Sequence, residues 1–460
     1  MIEIRNPYSN EIVGKIEPAT REDIEKAMWD CYKSEKNLSA EERKKILNKA
    51  VEKIKADKEK LAKLISSESG LAMKDTLHEI DRVCDTLTFS ANAVDKIDED
   101  ITSRFAVGEN ANPELKVVKE PMDLVIGITP FNHPMNQVAH KVGPAVAAGT
   151  AMVLKPSEKT PLSAIKLVEI LKESGLPDNM LKVIVPESAE KFLEQVLSMK
   201  LAEMITFTGG VEIGKKIARK LAETGNEFVK YLPEAGGNSA LVVLEDADID
   251  KSAKTAMNAF ANSGQRCTKI KRILLHNAIA DEFIEKFVKL TEKIKYGDPN
   301  NSNTEMGTVI SKESAEHIQE KVEEAIEDGA ELLYGNKRDG ALYSPTILDN
   351  VNPKSELVAK ETFGPVAPII RINSVEEAIE IINSVNYKLA CGVMTKDKEK
   401  AEKIANAVKV GQFNWNNNPG FRTEQAPFGG FRDSGNGMKE GVIMAGEGMK
   451  RIRTFYSHKQ

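Results

Sequence analysis

Through the first hundred residues, apolar positions recur every three or four residues among Lys and Glu. That spacing predicts amphipathic helices over residues 23–32, 40–65 and 74–94. The pattern changes after Asp123. Residues 124–128, 151–154, 181–185 and 204–207 are short apolar runs, which predict buried strands with helices between them. The clearest of those helices covers 162–174. Thr160 is its expected N-cap, Pro161 its first helical residue, and Gly175 lies just past its end. Strands alternating with helices predict a parallel sheet with right-handed crossovers, a doubly wound layout.

A second alternating region runs from about 234 to 411. Its strand candidates are 240–244, 272–276, 332–334, 389–394 and 410–413, with helices over 279–294, 311–329 and 375–385. The fold class is therefore α/β, with a Rossmann-like domain followed by a second α/β domain. The polar segment 97–120 interrupts the first domain, and with 450–458 it is expected to form a small protruding β-flap.

Composition narrows the function. The 460 residues suffice for more than one domain. Hydrophobic residues make up 41% and charged residues 29%, as in an ordinary globular protein. The net charge of -6 and the lack of a basic run exclude nucleic acid as a partner. The longest largely apolar stretch, 142–154, has 13 residues and holds Gly, Pro and Thr, against the roughly 20 that a bilayer crossing needs. No apolar signal segment follows Met1, so the expected location is cytoplasmic, with no membrane partner. Four cysteines, Cys31, Cys84, Cys267 and Cys391, lie far apart without metal-ligand spacing, so no metal is expected.

Three residues carry candidate chemistry. Cys267 sits in Ser263-Gly264-Gln265-Arg266-Cys267-Thr268, after a stretch that reads as helical from Asp248 to Asn262 with Asp248 as its cap. A glycine-containing loop there can expose a side chain, although on local evidence alone a packed structural cysteine is the better reading. Glu234 precedes a Gly-Gly turn, where it could equally be solvated. Asn132 follows the first strand of the alternating region, where ligands collect in such sheets, yet Asn also makes local turns.

In combination these segments say more. Thr129-Pro130-Phe131-Asn132, Lys155-Pro156-Ser157-Glu158, Phe207-Thr208-Gly209-Gly210, Glu234-Ala235-Gly236-Gly237, Gly264-Gln265-Arg266-Cys267, Glu361-Thr362-Phe363-Gly364-Pro365 and Pro427-Phe428-Gly429-Gly430 occur in that order. As a set, and over essentially the whole chain, they resemble the aldehyde dehydrogenase superfamily. The resemblance implies an NAD-binding domain over 1–96 and 121–233, a catalytic domain over 234–443, and oligomerisation segments at 97–120 and 444–460. It implies a homodimer or homotetramer in which those segments pair across subunits.

The resemblance also assigns roles. Cys267 would be the nucleophile, attacking the aldehyde carbon and ending as a thioester. The Asn132 amide and the Cys267 backbone N–H would hold the oxyanion, and Glu234 would activate water for hydrolysis. Glutamate at 234 favours a free acid over transfer to coenzyme A. Two departures stand beside it: Ala235 replaces the family's usual Leu, and Pro233 precedes the acid. Thr129, Pro130, Lys155, Ser157, Glu158, Thr208, Gly209, Gly210, Glu361 and Phe363 would hold the cofactor. A carboxylate at Glu158 beside the ribose 2′-OH favours NAD, with NADP less favoured.

For the substrate, a small-molecule aldehyde, four basic residues matter: Arg82, His133, Arg266 and Arg422. Guanidinium groups beside a carbonyl site suit an anionic tail, although such arginines can also make structural ion pairs. The run from Ile128 to Lys141 and the 419–422 loop resemble the phosphonoacetaldehyde dehydrogenase branch. Enzymes of glyceraldehyde 3-phosphate (non-phosphorylating), lactaldehyde or succinate semialdehyde are the alternatives. A catalytically silent binding or structural member of the family is the alternative of another class.

Overall fold

The computed structural model describes residues 1–99 and 113–458. The predicted segment 97–120 therefore lies partly outside the described residues. The opening helices are Arg21–Tyr32, Ala40–Ala56, Lys58–Ser69 and Met73–Asp98. The expected helix over 40–65 is two helices, because Asp57 closes the first and opens the second. These helices bury their apolar faces in one core with a five-stranded sheet.

That sheet is wholly parallel, in the spatial order Leu181–Val183, Met152–Lys155, Val125–Ile128, Met204–Thr208, Lys230–Glu234. The chain adds strands on one side of Val125–Ile128, then returns to the other. The order thus reverses beside that central strand, the place where open α/β sheets leave a ligand crevice. Register sets what faces the crevice. Ile128 pairs with Lys155 and with Phe207, and Thr208 pairs with Glu234. The carboxyl ends of four strands therefore line up in one row.

Two helices leaving those strands are capped from a distance. The backbone N–H groups of Met135 and Asn136 both donate to Glu79 Oε1 at 2.9 Å, where Asn136–Ala148 begins. Those of Leu162 and Ser163 donate to Glu68 at 2.7 and 2.9 Å. Thr160 is thus not the cap of Leu162–Glu173. Pro161 occupies that position, and a carboxylate on an opening helix satisfies the free amides.

The second sheet has seven strands, in the order Glu331–Tyr334, Thr346–Asp349, Val366–Ile372, Arg272–His276, Ala240–Val243, Ala390–Met394, Gln412–Trp415. All neighbours are parallel except the first pair. Alternate residues feed two cores: Ala240 and Val242 face one, Leu241 and Val243 the other. Thr346–Asp349 and Val366–Ile372 were not expected from the pattern. Pro368 sits inside the latter, an interior strand, and proline argues against such an assignment.

Strands Pro113–Pro121 and Lys450–His458 pair antiparallel in a separate two-stranded sheet. The helix before it, Val442–Gly448, returns to the first core, where Val442 and Met449 are buried. No helix among the described residues is long and apolar enough to cross a membrane.

Candidate active site

Cys267 lies on a turn that the backbone builds under constraint. Asp248 caps Ile249–Ala256 by accepting from the Lys251 N–H, as its sequence suggests. A 3-10 stretch follows, Met257–Gly264, in which Asn262 and Ser263 take φ of 57° and 52°. Gly264 continues at φ 72°, and a Cβ there would collide with the Gly364 carbonyl. Three successive left-handed residues reverse the chain and present Cys267, partly exposed, to a cavity. The other three cysteines are buried.

That cavity measures about 320 Å³, within the usual range for small-molecule sites. Asn132, Glu234, Cys267, Glu361 and Phe363 all line it. So do Pro130, Thr208, Gly209 and Gly210. An adjoining cavity of about 430 Å³ is lined by Thr129, Lys155, Ser157, Glu158 and the same glycines. The structure thus brings together every residue that the sequence assigned to catalysis or cofactor.

The Asn132 amide donates to the Gln265 carbonyl at 2.8 Å and stands 3.2 Å from His133 Nδ1. The Asn262 amide donates to the Asn132 carbonyl at 3.0 Å, tying the strand end to the cysteine turn. Burial holds His133 well below the ordinary histidine range, with Arg266 and Arg82 adding repulsion. It therefore places no charge beside the amide.

Glu234 is buried, and neither carboxylate oxygen has a hydrogen-bond partner among the described residues. Burial raises its pKa well above the carboxylate range, and the charge of Glu440 raises it further. Lys141, Lys439 and Arg422 pull the other way. Room for the acid comes from Gly429 at φ 144°, where a Cβ would strike the carboxyl. The Gly236-Gly237 turn has a similar purpose: side chains there would strike the Glu361 carboxylate and the Cys267 carbonyl.

Glu361 accepts from Lys271 Nζ at 2.5 Å, and the same ammonium donates to the Cys267 carbonyl at 2.7 Å. Burial raises the Cys267 pKa, and Lys271 is the leading influence drawing it back. Phe363 meets Phe131 edge to face at 5.9 Å.

The cavities fit a dinucleotide. Thr129 and Thr208 each have a buried hydroxyl without a partner among the described residues. Gly210 has open space where a side chain would stand, and it opens helix Val211–Glu223, whose amides can receive a pyrophosphate. Lys155 and Glu158 pair at 2.6 Å on the rim.

The four basic residues expected at the substrate have mixed fates. None lines the 320 Å³ cavity. Arg82 Nε donates to Glu424 at 2.6 Å, and Arg422 lies 3.6 Å from the other oxygen of that carboxylate. Arg266 makes no side-chain hydrogen bond or ion pair with the described residues, though Arg82, Asp75 and Arg422 are its charged neighbours.

Sequence reasoning missed Glu424, Lys271, Asp75 and the buried pair Lys141–Glu440, joined at 2.6 Å. Each reads as a solvated charge in its own segment, and only tertiary packing desolvates it.

Comparisons with known proteins agree with this geometry. The sequence profile of the aldehyde dehydrogenase family matches residues 1–455. The 3-sulfolactaldehyde dehydrogenase of Priestia aryabhattai is 37% identical over 455 residues, covering 98% of this chain and 94% of that protein. The lactaldehyde dehydrogenase of Methanococcus aeolicus is 37% identical over 464 residues, covering 98% and 96%. The structure of glyceraldehyde-3-phosphate dehydrogenase GapN from Methanocaldococcus jannaschii, complexed with NADP, superimposes with a TM-score of 0.92 at 35% identity, covering 100% of this chain and 99% of that one. The chain belongs to the aldehyde dehydrogenase family and is a nicotinamide-dependent oxidoreductase acting on aldehydes.

Proposed function

We propose that this enzyme oxidises a short aldehyde with an anionic tail to the free acid, with NAD as oxidant. The observation that carries the tail is Arg266. A half-buried guanidinium with no hydrogen-bond partner among the described residues stands beside the nucleophile. Its free donors are available to an anionic ligand. The sulfonated substrate named for one relative has such a tail; the neutral one named for another would leave Arg266 unmatched.

Cys267, as thiolate, attacks the aldehyde carbon, and the oxyanion is received by the Asn132 amide and the Cys267 N–H. One such donor is worth about 10²–10³ in rate. A bound nicotinamide supplies the hydride acceptor, held by Glu361, Phe363, Thr208 and the Gly209-Gly210 turn. The acyl group then remains on Cys267 as a thioester. Glu234 takes a proton from water for hydrolysis, and its raised pKa means that this base gains strength as pH rises. Glu158, facing the second cavity, disfavours a 2′-phosphate. The paired strands Pro113–Pro121 and Lys450–His458 expose Ile452 and Phe455, apolar area that a second subunit would cover in a homodimer or homotetramer.

The test compares sulfoacetaldehyde with propanal, following NADH. Arg266→Ala should lower kcat/KM for sulfoacetaldehyde by about 10²-fold, the range for losing a desolvated charge pair, and for propanal far less. Equal losses would reject the anionic tail. Silence towards every aldehyde would favour a non-catalytic family member.

A further inference from the structure

Two buried lysines, Lys269 and Lys271, follow the nucleophile closely in the chain. Their ammonium groups keep different company. Lys269 Nζ donates to backbone carbonyls, those of Ile270 at 3.4 Å and Val366 at 3.2 Å. Lys271 Nζ meets three residues of the cavity: the Cys267 carbonyl at 2.7 Å, Glu361 Oε1 at 2.5 Å and the Phe363 ring, 5.7 Å from its centre. Its side chain is 1% exposed, so water has little share in these contacts.

The backbone on each side is fixed by other means. The Lys271 N–H donates to the Ser239 carbonyl at 3.0 Å, and Lys321 Nζ donates to the Glu361 carbonyl at 3.2 Å. What the Lys271 ammonium sets is the direction of the Glu361 carboxylate. It takes Oε1, to which the Gly237 N–H adds a longer bond of 3.3 Å. Oε2 lies over Gly236, where a Cβ would stand 2.1 Å from it. That oxygen is left to accept from the hydroxyls of a bound ribose. With its other bond the same ammonium closes a loop back onto the residue that carries the sulfur. Without it, a half-buried carboxylate is free to rotate, and the Cys267 carbonyl loses its donor.

We propose that Lys271 is a positioning residue: one ammonium fixes both the nucleophile and the carboxylate that holds the nicotinamide ribose, and so sets the spacing between sulfur and hydride acceptor. The hydride leaves a carbon bonded to Cys267 for a ring held through Glu361, and transfer of this kind depends on a constant separation. The proposal rests on the roles given above to Cys267 and Glu361, and adds the group that registers one against the other.

The test compares the wild type with Lys271→Met, Glu361→Gln and the double variant. Methionine keeps the apolar stem and removes the ammonium. Each single substitution should raise the KM for NAD by about tenfold, the scale of one lost hydrogen bond to a charged group. The double variant should also stay near about tenfold, because both changes remove the same contact. Alkylation by iodoacetamide without NAD, followed on the Cys267 peptide, reads the other end. Lys271→Met should slow it by about threefold or more, since a nearby ammonium favours the thiolate. Glu361→Gln should not slow it. Two unrelated disturbances of the fold would multiply to about a hundredfold in KM, and that result overturns the positioning role. A Lys271→Met enzyme with the wild-type KM for NAD, or with the wild-type alkylation rate, overturns it too. The double variant against Glu361→Gln leaves neither charge alone, so that comparison decides the matter even where Lys271→Met does not fold. A Glu361→Gln enzyme with the wild-type KM for NAD instead overturns the cofactor role of Glu361, and the proposal with it.

Discussion

The two sides of Cys267 are built differently. On the cofactor side, the surface is backbone and glycine: the Gly209-Gly210 turn, the Gly236-Gly237 turn and the ends of parallel strands. On the far side it is charge: Arg82, Arg266 and Arg422 against Glu424 and Asp75, contributed by three separate stretches of chain. The first side receives a ligand whose shape is constant, and close backbone approach is what such a ligand needs. On the proposed reading the second discriminates among aldehyde tails, and a handful of charges can be exchanged without disturbing the fold. The contrast predicts that substitutions on one side alter one ligand's kinetics and spare the other's.

Removing the shared element has the largest effect. Cys267→Ser replaces a good nucleophile by a poor one, so oxidation of every aldehyde should fall by 10³-fold or more, on the order seen for losing an activated nucleophile. Cofactor binding, followed by quenching of Trp fluorescence or by calorimetry, should persist. Residual turnover near the wild-type rate would place the chemistry elsewhere.

A smaller effect isolates the cofactor side. In Gly236→Ala the new methyl would collide with the Glu361 carboxylate, which Lys271 fixes at 2.5 Å. Glu361 must then move. The KM for NAD should rise by about tenfold, the scale of one or two lost hydrogen bonds to a charged group. The ratio of activities on sulfoacetaldehyde and propanal should stay where it was. A changed ratio with an unchanged KM for NAD would dissolve the distinction between the two sides.

The same contrast explains what the sequence disclosed. The cofactor side is written in contiguous motifs, because a tight turn needs glycine at fixed offsets and a strand end needs its neighbours in order. Asn132, Glu234 and Cys267 fall within such segments. Four strands of the first sheet were legible as short, mainly apolar runs, whereas its fifth, Lys230–Glu234, was hidden by its Lys, Pro and Glu, and Val366–Ile372 by Pro368. Charges gave the weakest signal. Glu68 and Glu79 read as solvated positions on amphipathic helices, yet they cap two helices in the interior. Glu424 reads as one more acid in a polar loop. Its importance comes from His140 and Arg82, which are 284 and 342 positions away. Arginine beside the nucleophile could be singled out; the carboxylate that offsets its neighbours could not.

The smallest effect concerns Glu234, which sits between the two sides. Its high pKa is set by burial and then by Glu440, while Lys141 and Arg422 oppose. Glu440→Gln removes the largest charge that raises it. Lys141, now without its 2.6 Å partner, either stays protonated and lowers the Glu234 pKa further, or gives up its proton and leaves the field. Since Glu440 outweighs Lys141, the direction is the same in both cases: Glu234 ionises at lower pH. The hydrolytic step needs the ionised form, so the rising limb of kcat against pH should move to lower pH, and the enzyme should gain relative activity on the acid side. Single-turnover release of the acid, measured from pH 5 to pH 9, isolates that limb from aldehyde binding. A limb displaced to higher pH, or one that stays in place while aldehyde KM changes, would assign Glu440 to the charged side and leave Glu234 without its regulator.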